Sequence, residues 1–363
     1  MSDYKIAIFA GRYILGEGAI SELPSLVERF GGRGFFLVCE PLAEQIKPLI
    51  GNGTMLVFEE ECCEEELARI CKAAEASAAS VLIGVGGGKI IDAVKITAIR
   101  MSLPVIIAPT IAATNACSTC GTVVYTREGV YVKSIYSPAN PNVVLVDSRI
   151  IANAPVRFFI AGIGDAMSTY YEALVCKKGN FDNIPGGKQA LLPQAAAKMC
   201  RDIINEYAEQ AAKDAAEHQV TPAFENVLQA ITHLSSVGYE NTGIAGAHSI
   251  HNGLTVFPQT HKFLHGEKVA FGTVAAAYLN EDIKPEEITA LCDLCVKLGL
   301  PTTFADLDLA DISATALLKL GEAIAAAPNA YKETAHSPED FVEAMKKADA
   351  LGRARKFTLE PNK

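Results

Sequence analysis

The sequence predicts a two-domain protein: an α/β domain with a parallel, Rossmann-like sheet, followed by an all-helical domain. Up to position 147, short apolar runs alternate with amphipathic stretches of about 10–15 residues, which is the pattern of a parallel sheet covered by helices on both faces. Beyond that point strand-like runs disappear, and apolar residues recur with the 3.6-residue period of helices. A chain of 363 residues is long enough for about two domains. We therefore expect an N-terminal domain over residues 1–154 and a helical domain over residues 155–363.

The elements follow from the same patterns, taken in chain order. Apolar runs predict strands at 5–10, 35–39, 54–59, 80–88, 104–110 and 142–147. Amphipathic stretches between them predict helices at 19–31, 41–50, 64–78 and 89–101. An alternating segment at 121–137, with turn-forming residues at 127–129, predicts an antiparallel hairpin. In the second domain the clearest helical patterns lie at 190–217 and 287–300.

Composition and charge exclude several classes of protein. The net charge of −10 and the lack of a basic run argue against nucleic acid or an anionic membrane as a partner. Although 50% of the residues are hydrophobic, no stretch reaches the roughly 18 consecutive apolar residues of a membrane-spanning helix. The N-terminal residues lack a signal-peptide pattern. The ten cysteines do not have the spacing of a disulfide framework, so we expect reduced thiols and a cytoplasmic location.

A glycine-rich turn follows the fourth predicted strand. Gly84, Gly86, Gly87 and Gly88 precede Lys89 where the strand gives way to a helix. Consecutive glycines let the backbone approach a ligand closely, and the helix start offers free N–H groups to a pyrophosphate. The turn is neither a Walker A loop nor G-x-G-x-x-G, because Lys89 is followed by isoleucine and occupies the last glycine position. The pattern favours a phosphate-binding turn, and the alternative is a tight turn with glycine for packing only.

An acidic residue ends the second predicted strand and bears on the choice of nucleotide. Glu40 stands where a carboxylate can accept hydrogen bonds from both hydroxyls of an adenosine ribose. The same carboxylate would repel a 2′-phosphate. Acidic residues are common after strands, but together with the glycine turn Glu40 predicts NAD rather than NADP.

Four of the seven histidines lie within residues 246–272, namely His248, His251, His261 and His265. Two histidines and a carboxylate form a three-ligand site that leaves a divalent metal one open position for substrate. We choose His248 and His265, with Asp165 as the carboxylate, because a buried acid in that apolar segment calls for a cation. The alternatives are a helix N-cap for Asp165, a hydrogen-bonded core position for His248 and an exposed loop for His261. His251 shares a helix face with His248 and either relays a proton or packs behind the site.

Two C-x-x-C motifs offer a different metal site, Cys117 with Cys120 and Cys292 with Cys295. Four-cysteine zinc sites usually pair such motifs about 15–20 residues apart, whereas these lie in different predicted domains. The second pair also falls on the inner face of an amphipathic helix. Packing therefore explains these cysteines better than zinc does.

Five sequence blocks resemble the glycerol dehydrogenase branch of the iron-containing (group III) alcohol dehydrogenase superfamily. They are GVGGGKIID, APTIAAT, NAPVRFFIAGIGDAMSTYYEA, GAHSIHNGLT and HGEKVAFGTV, and the resemblance runs from about position 6 to position 300. It implies that Asp165, His248 and His265 are the metal ligands and that the metal is zinc rather than iron or manganese. Iron-using relatives carry a further histidine four residues after the aspartate, where this chain has Thr169.

The resemblance also implies a set of dinucleotide contacts in the first domain. In the glycine turn these are Gly86, Gly87, Gly88, Lys89 and Asp92. Thr110 matches as well, Thr119 and Tyr125 match beside the nicotinamide, and Glu40 replaces the usual ribose-binding aspartate. The implied function is a zinc-dependent, NAD-linked alcohol or polyol dehydrogenase. It would transfer hydride between a small hydroxy compound at the metal and NAD, with His251 and Asn115 as catalytic candidates and a homo-oligomeric assembly.

Two departures from the family pattern lie where the substrate is selected. Asn115 stands where glycerol dehydrogenases carry an aspartate that contacts the polyol, and a histidine-containing loop is replaced at 325–338. An amide can hydrogen-bond a hydroxyl group without repelling a carboxylate, so a 2-oxo acid reductase on the same scaffold is the alternative function. Two further rivals are a cyclising lyase of the dehydroquinate synthase type and a catalytically silent metal- and nucleotide-binding protein.

Overall fold

The computed structural model describes residues 4–326 and 336–359. Within these residues, one sheet of six parallel strands forms the core of the N-terminal half, and a separate antiparallel hairpin follows it. The sheet contains β1 (Tyr13–Gly16), β2 (Gly34–Val38), β3 (Thr54–Val57), β4 (Val81–Gly86), β5 (Val105–Pro109) and β8 (Val143–Asp147), and the hairpin contains β6 (Gly121–Tyr125) and β7 (Tyr131–Tyr136). The predicted parallel sheet and the predicted hairpin are both confirmed.

Helices flank the sheet and make up most of the chain after β8. In the first half they are α1 (Leu23–Glu28), α2 (Ala43–Ile46), α3 (Glu64–Ser77) and α4 (Gly88–Met101). The second half contains α5 (Ser148–Ala152), α6 (Val156–Lys178), α7 (Leu191–Ala216), α8 (Pro222–Gln229), α9 (Ser235–Thr242), α10 (Gly246–Leu254), α11 (His265–Ala277), α12 (Pro285–Leu298), α13 (Ala314–Ala326) and α14 (Pro338–Leu359). Short 3-10 turns lie at Ala19–Glu22, Glu40–Leu42, Lys47–Leu49, Pro258–Thr260 and Ala305–Leu307, and a π-helical turn lies at Ala230–Leu234.

Both faces of the sheet are buried, as the apolar strands require. On β2, Phe35 and Leu37 pack into a core shared with α3 and α4, while Phe36 and Val38 pack into a second core with α1 and α2. Successive strand residues point to opposite faces, so a strand buried on both sides must be apolar throughout. This is why the strand patterns are continuous rather than alternating.

The strand order β1-β8-β5-β4-β2-β3 determines where a ligand can bind. The chain moves from β2 to one side to form β3, then crosses to the other side to form β4, so the direction of winding changes between β2 and β4. In open α/β sheets, ligands occupy the crevice at the carboxyl ends of the strands at this switch point. Glu40 and the glycine turn follow these two strands.

The predicted first strand, residues 5–10, is wrong. Ile8 instead exchanges two hydrogen bonds with the Asn241 side chain, 2.7 Å to its N–H and 3.0 Å to its carbonyl. The Ile6 carbonyl accepts from the Asn183 side-chain amide at 2.7 Å, and the Ile6 N–H donates to the Lys188 backbone carbonyl. Because amide side chains from the helical half satisfy this backbone, the segment does not join the sheet. The following residues supply β1, which pairs with β8.

The predicted helices of the first half are present but shorter in two cases. The stretch 19–31 is a 3-10 turn followed by α1, and the stretch 41–50 is α2 flanked by two 3-10 turns. Pro41 and Pro48 lie in those flanking turns, and proline cannot donate the backbone hydrogen bond that a longer helix needs. The boundary at 154/155, which lies between α5 and α6, remains a proposal. In the described ranges, the helices all lack the length or the apolar character needed to cross a membrane.

Candidate metal centre and dinucleotide cleft

Asp165 lies in the middle of α6 rather than at a helix start. It is the tenth residue of that helix, so the N-cap alternative is wrong. Glycines let a second helix approach it closely: a Cβ built on Gly266 of α11 would lie 1.8 Å from the Ala161 carbonyl oxygen, and one built on Gly164 would lie 2.5 Å from the Gly266 oxygen. The two helix backbones are therefore in direct contact beside the Asp165 carboxylate.

Two imidazoles converge on this carboxylate from different helices. His265 is the first residue of α11, and its Nε2 lies 3.1 Å from Asp165 Oδ1. His248, in α10, places its Nε2 3.7 Å from the same oxygen. One donor atom from each of the three side chains lies within 4.8 Å of the others. Three residues far apart in sequence thus form one cluster, as the metal-site prediction requires.

The Asp165 carboxylate fits a cation better than it fits a purely structural role. Its side chain is 3% exposed, and Oδ1 is buried with no hydrogen-bond partner among the described residues. A buried acceptor without a partner is costly unless a proton or a cation satisfies it. Burial alone would raise the pKa of Asp165, but the His265 and His248 imidazoles outweigh it and hold the pKa below its usual range. The two imidazoles therefore favour the ionised form of this carboxyl group.

Glu172 orients His248, a contact that the sequence analysis missed. Its Oε2 lies 2.8 Å from His248 Nδ1, and its Oε1 accepts the His248 backbone N–H at 3.1 Å. With Nδ1 bonded in this way, Nε2 faces Asp165. Metal-binding histidines usually have such a carboxylate on the other ring nitrogen. The signal in the sequence is spacing, because Glu172 follows Asp165 by seven residues, two turns on the same face of α6.

Of the remaining two histidines of the segment, one is buried and the other is exposed. His251 is buried, and its ring centroid lies 4.1 Å from that of His265. Its Nδ1 contacts Asn252 Oδ1 at 2.9 Å. His261 is exposed and contacts the Thr255 carbonyl, as its loop alternative predicts. Only His251 therefore lies next to the candidate metal centre.

The predicted dinucleotide residues meet at the switch point of the sheet. The Cys39 N–H donates to the Val85 carbonyl at 2.9 Å, which brings the exposed Glu40 beside the end of β4. The Thr110 N–H donates to the Gly86 carbonyl at 3.1 Å, so the end of β5 lies at the same edge. Glu40, Thr110 and the glycine turn thus lie together at the carboxyl edge of the sheet.

Two glycines of the turn allow close packing, and the third leaves an open surface at the start of the helix. Cβ atoms built on Gly86 and Gly87 would meet the side chains of Ile90 and Ile111 at 2.3 and 2.9 Å. A Cβ on Gly88, the first residue of α4, would meet no atom within 4 Å. The packing alternative therefore explains two of the glycines, while Gly88 leaves space at the helix start where a phosphate group can approach.

Lys89 and Asp92 are engaged with protein groups. The Lys89 ammonium lies 2.5 Å from Glu61 Oε2. Asp92 is buried beneath the turn and accepts the Val123 N–H at 3.3 Å. Burial raises the pKa of Asp92 to about 7, although Lys95 opposes the shift. In this arrangement Asp92 supports the hairpin.

Asn115, Thr119 and Tyr125 lie on the segment from β5 to β6, which contacts both halves of the chain. Asn115 is half-buried and donates to Ser235 of α9 at 3.0 Å. Thr119 is buried, and its hydroxyl lies 3.4 Å from the Ala116 carbonyl. Tyr125 begins the hairpin turn, and burial raises its pKa to about 12, with Asp92 and Glu61 contributing. The contacts described for these residues include none with the three clustered donors.

The C-x-x-C motifs do not form a metal site in the described residues. The one group there whose donor atoms converge is Asp165, His248 and His265. Cys292 and Cys295 are buried in the apolar core on α12, as predicted from their helix face. Burial raises the pKa of Cys117 to about 11, which keeps that thiol protonated.

Comparison with known proteins identifies the family. Residues 10–148 match the model of the iron-containing alcohol dehydrogenase family. The chain is 39% identical to the glycerol dehydrogenase of Thermotoga maritima, over 96% of this chain and 98% of that protein. It is 38% identical to the glycerol dehydrogenase of Escherichia coli O6:H1, over 94% and 96%. The crystal structure of glycerol dehydrogenase from Schizosaccharomyces pombe matches with a TM-score of 0.93 at 31% identity, covering 100% of this chain and 94% of that chain. The chain belongs to the iron-containing alcohol dehydrogenase family.

Membership confirms the resemblance, the fold class and the type of reaction. The chain is an NAD-dependent, metal-containing alcohol dehydrogenase that acts on CH–OH groups. It is glycerol dehydrogenase-like, and the alternative of a 2-oxo acid reductase is not favoured. Of the replaced loop at 325–338, residues 327–335 lie outside the described part of the chain.

Thr169 leaves this dehydrogenase with three clustered donors rather than four. It follows Asp165 by one helical turn and is buried. A Cβ built on Gly238 of α9 would lie 2.4 Å from Thr169 Cγ2, so the threonine side chain fills the space between α6 and α9. Thr169 is therefore a packing residue, which agrees with the prediction of three ligands rather than four.

Replacing Glu172 with glutamine is expected to weaken Zn²⁺ binding by about 10- to 100-fold, because His248 loses the carboxylate that orients it. Competition with a chromophoric chelator measures the affinity. Glu209→Gln, which removes an exposed carboxylate paired with Lys297, is the matched control and should bind Zn²⁺ as the parent does. Equal affinities for all three proteins would show that Glu172 does not support the metal site.

Proposed function

We propose that this enzyme is a zinc-dependent, NAD-linked dehydrogenase of small polyols, with glycerol and related vicinal diols as the substrate class. The observation that carries the proposal is the convergence of two imidazole nitrogens, from His248 and His265, on a buried oxygen of Asp165 that makes no hydrogen bond within the described residues. The named relatives, which are glycerol dehydrogenases, support the substrate class.

The donor set supports zinc as the metal. Two imidazole nitrogens and one carboxylate oxygen are typical ligands of a catalytic zinc ion with one position open to substrate. The same donor set also holds iron(II) in other enzymes, so the choice of zinc rests on Thr169, which provides no imidazole at the position where iron-using relatives carry a fourth ligand. When bound, the cation would act as a Lewis acid that lowers the pKa of a substrate hydroxyl group.

The residues of the first domain would hold the cofactor for hydride transfer. Gly86, Gly87 and Gly88 would receive the pyrophosphate at the start of α4, with Lys89 nearby as the cation, and Glu40 would accept the ribose hydroxyls. Thr110, Thr119 and Tyr125 would line the path to the nicotinamide. Asp92 contributes by supporting the hairpin beneath this turn.

We propose that His251 relays the proton released from the substrate hydroxyl group and that Asn115 contacts the substrate. His251 lies against His265, and its Nδ1 is bonded to Asn252, which leaves Nε2 for proton exchange. Three residues before Asn115, the loop packs against α6: a Cβ built on Gly162 would lie 2.0 Å from the Ala112 carbonyl oxygen. That contact is one turn before Asp165, so the loop carries Asn115 toward the metal centre.

A substrate screen in both directions tests the function. We expect NADH formation with glycerol and 1,2-propanediol, little reaction with 2-hydroxybutyrate, and loss of activity after chelation that Zn²⁺ restores. Faster turnover of 2-hydroxybutyrate would favour the 2-oxo acid reductase. A lack of reaction throughout the panel would favour the lyase or the silent binding protein, and unchanged activity in chelator would exclude a required metal.

We also propose that copies of the chain associate with one another and that the enzyme works in the cytoplasm. Exposed apolar side chains on the hairpin, among them Val130, Tyr131 and Tyr136, support self-association because such patches commonly mark interfaces. Light scattering of the purified protein gives the oligomeric mass.

A further inference from the structure

The loop that carries Asn115 is held by an irregular turn of the helical half. Between α8 and α9, residues Ala230–Leu234 form a π-helical turn, and such turns are frequent at functional sites. The Thr232 carbonyl in this turn accepts from the Ser118 hydroxyl at 2.5 Å and lies 3.1 Å from the Ser236 hydroxyl. Ser236 also lies 3.0 Å from the Asn115 carbonyl. The turn therefore holds the Ser118 side chain, and Ser236 of α9 contacts the backbone carbonyl of Asn115 itself.

Two buried ionisable side chains, Lys95 of α4 and Glu240 of α9, also hold this loop. Lys95 donates to the Ala116 and Gly121 carbonyls at 3.0 and 2.6 Å. Glu240 of α9 accepts the Cys120 N–H at 2.6 Å. Both side chains are buried and hydrogen-bonded to the loop backbone, so a displaced loop would leave buried polar groups without partners. The loop backbone is thus fixed independently of the Asn115 side chain.

Within the described residues, the Asn115 side chain makes one hydrogen bond. Its Nδ2 donates to Ser235 Oγ at 3.0 Å, and Ser235 is completely buried at the start of α9. In the described part of the chain, Asn115 Oδ1 has no hydrogen-bond partner. Since the nitrogen is bonded to Ser235, the oxygen is the group left to accept a hydrogen bond from a ligand.

We infer that Ser235 is a positioning residue that orients the Asn115 amide, so that Oδ1 accepts a hydrogen bond from a substrate hydroxyl. The inference rests on the proposed function, in which Asn115 contacts the substrate. It explains how an amide can replace a carboxylate at this position. An accepting oxygen favours a hydroxyl group over a carboxylate, which cannot donate when ionised.

A double-mutant cycle tests the role of Ser235. Ser235→Ala removes the acceptor, and we expect kcat/KM for 1,2-propanediol to fall about five- to tenfold, as for the loss of one neutral hydrogen bond. The Kd of NADH and the melting temperature should stay near those of the parent, because the loop backbone keeps its other anchors. Ser235→Thr retains the hydroxyl and should recover most of the activity. Ser77→Ala, at a half-buried helix serine in the first domain, is the matched control.

The second arm of the cycle separates positioning from a structural role. If Ser235 acts through Asn115, adding Ser235→Ala to Asn115→Ala should change kcat/KM by less than twofold, because the coupled effects are not additive. Full additivity, an equal loss of NADH affinity, or parental kinetics of Ser235→Ala would overturn the inference while the dehydrogenase function stands. A parent enzyme with no NAD-linked activity on any diol would instead overturn the proposed function, and the inference with it.

Discussion

Replacing His265 with alanine is expected to reduce NAD-linked turnover by at least about a thousandfold. His265 Nε2 lies 3.1 Å from Asp165 Oδ1, and its loss leaves two donors for the cation. A metal contributes several kcal/mol of charge stabilisation in such reactions, and each 1.36 kcal/mol corresponds to a factor of ten in rate. NADH should still bind with nearly the parental affinity, because its proposed contacts lie in the first domain. Steady-state kinetics and a fluorescence titration of NADH measure the two quantities.

His261→Ala is the matched control for this variant. The residue lies four positions before His265 but is exposed, with its ring against a backbone carbonyl. We expect parental kinetics from it, within about twofold. A His265→Ala enzyme that retained near-parental activity without metal would show that the ligand assignment is wrong.

Replacing Gly266 with alanine is expected to destabilise the protein by about 3 kcal/mol and to reduce its metal content. The added Cβ would lie 1.8 Å from the Ala161 carbonyl oxygen and 3.0 Å from the Asp165 backbone nitrogen, so α11 must move away from α6. Overpacking of this kind costs roughly 1–3 kcal/mol when side chains can adjust, and here the obstacle is helix backbone. The shift would also separate His265 from Asp165. Urea denaturation and metal analysis of the purified variant test both effects.

Gly16→Ala provides the control for the glycine experiment. A Cβ at Gly16 would meet no atom within 4 Å, and its backbone is not in the left-handed region. Its unfolding free energy should lie within about 0.5 kcal/mol of the parent, as for an unobtrusive substitution. If Gly266→Ala were equally stable and carried its full metal content, the close contact between α6 and α11 would not be what holds the site together.

The sequence predicted the metal cluster because its members differ from their surroundings. A carboxylate in an apolar segment and four histidines within residues 246–272 stand out without any knowledge of the fold, and the family resemblance supports the choice of His248 and His265 among them. The sheet was predicted for a similar reason, since continuous apolar runs separated by amphipathic helices have few other solutions. Ionisable residues that stand in apolar segments can therefore be recognised from the sequence alone.

Contacts between segments that are distant in the sequence could not be predicted from these local patterns. The strand expected at 5–10 has a suitable apolar pattern, but Asn241 and Asn183 satisfy its backbone from the helical half. Glu172 was overlooked because a glutamate in a helix is usually exposed, and only the fold brings it to His248. The π-helical turn has no distinctive composition, so the loop that it anchors could be recognised only in three dimensions.

Anomalous diffraction from crystals of the purified enzyme, recorded at energies on either side of the zinc absorption edge, tests the central claim most directly. We predict one zinc peak per chain, within bonding distance of Asp165 Oδ1, His248 Nε2 and His265 Nε2, in an enzyme whose activity depends on that zinc. A peak located elsewhere, or full activity from crystals and solutions that contain no metal at these three side chains, would contradict the account.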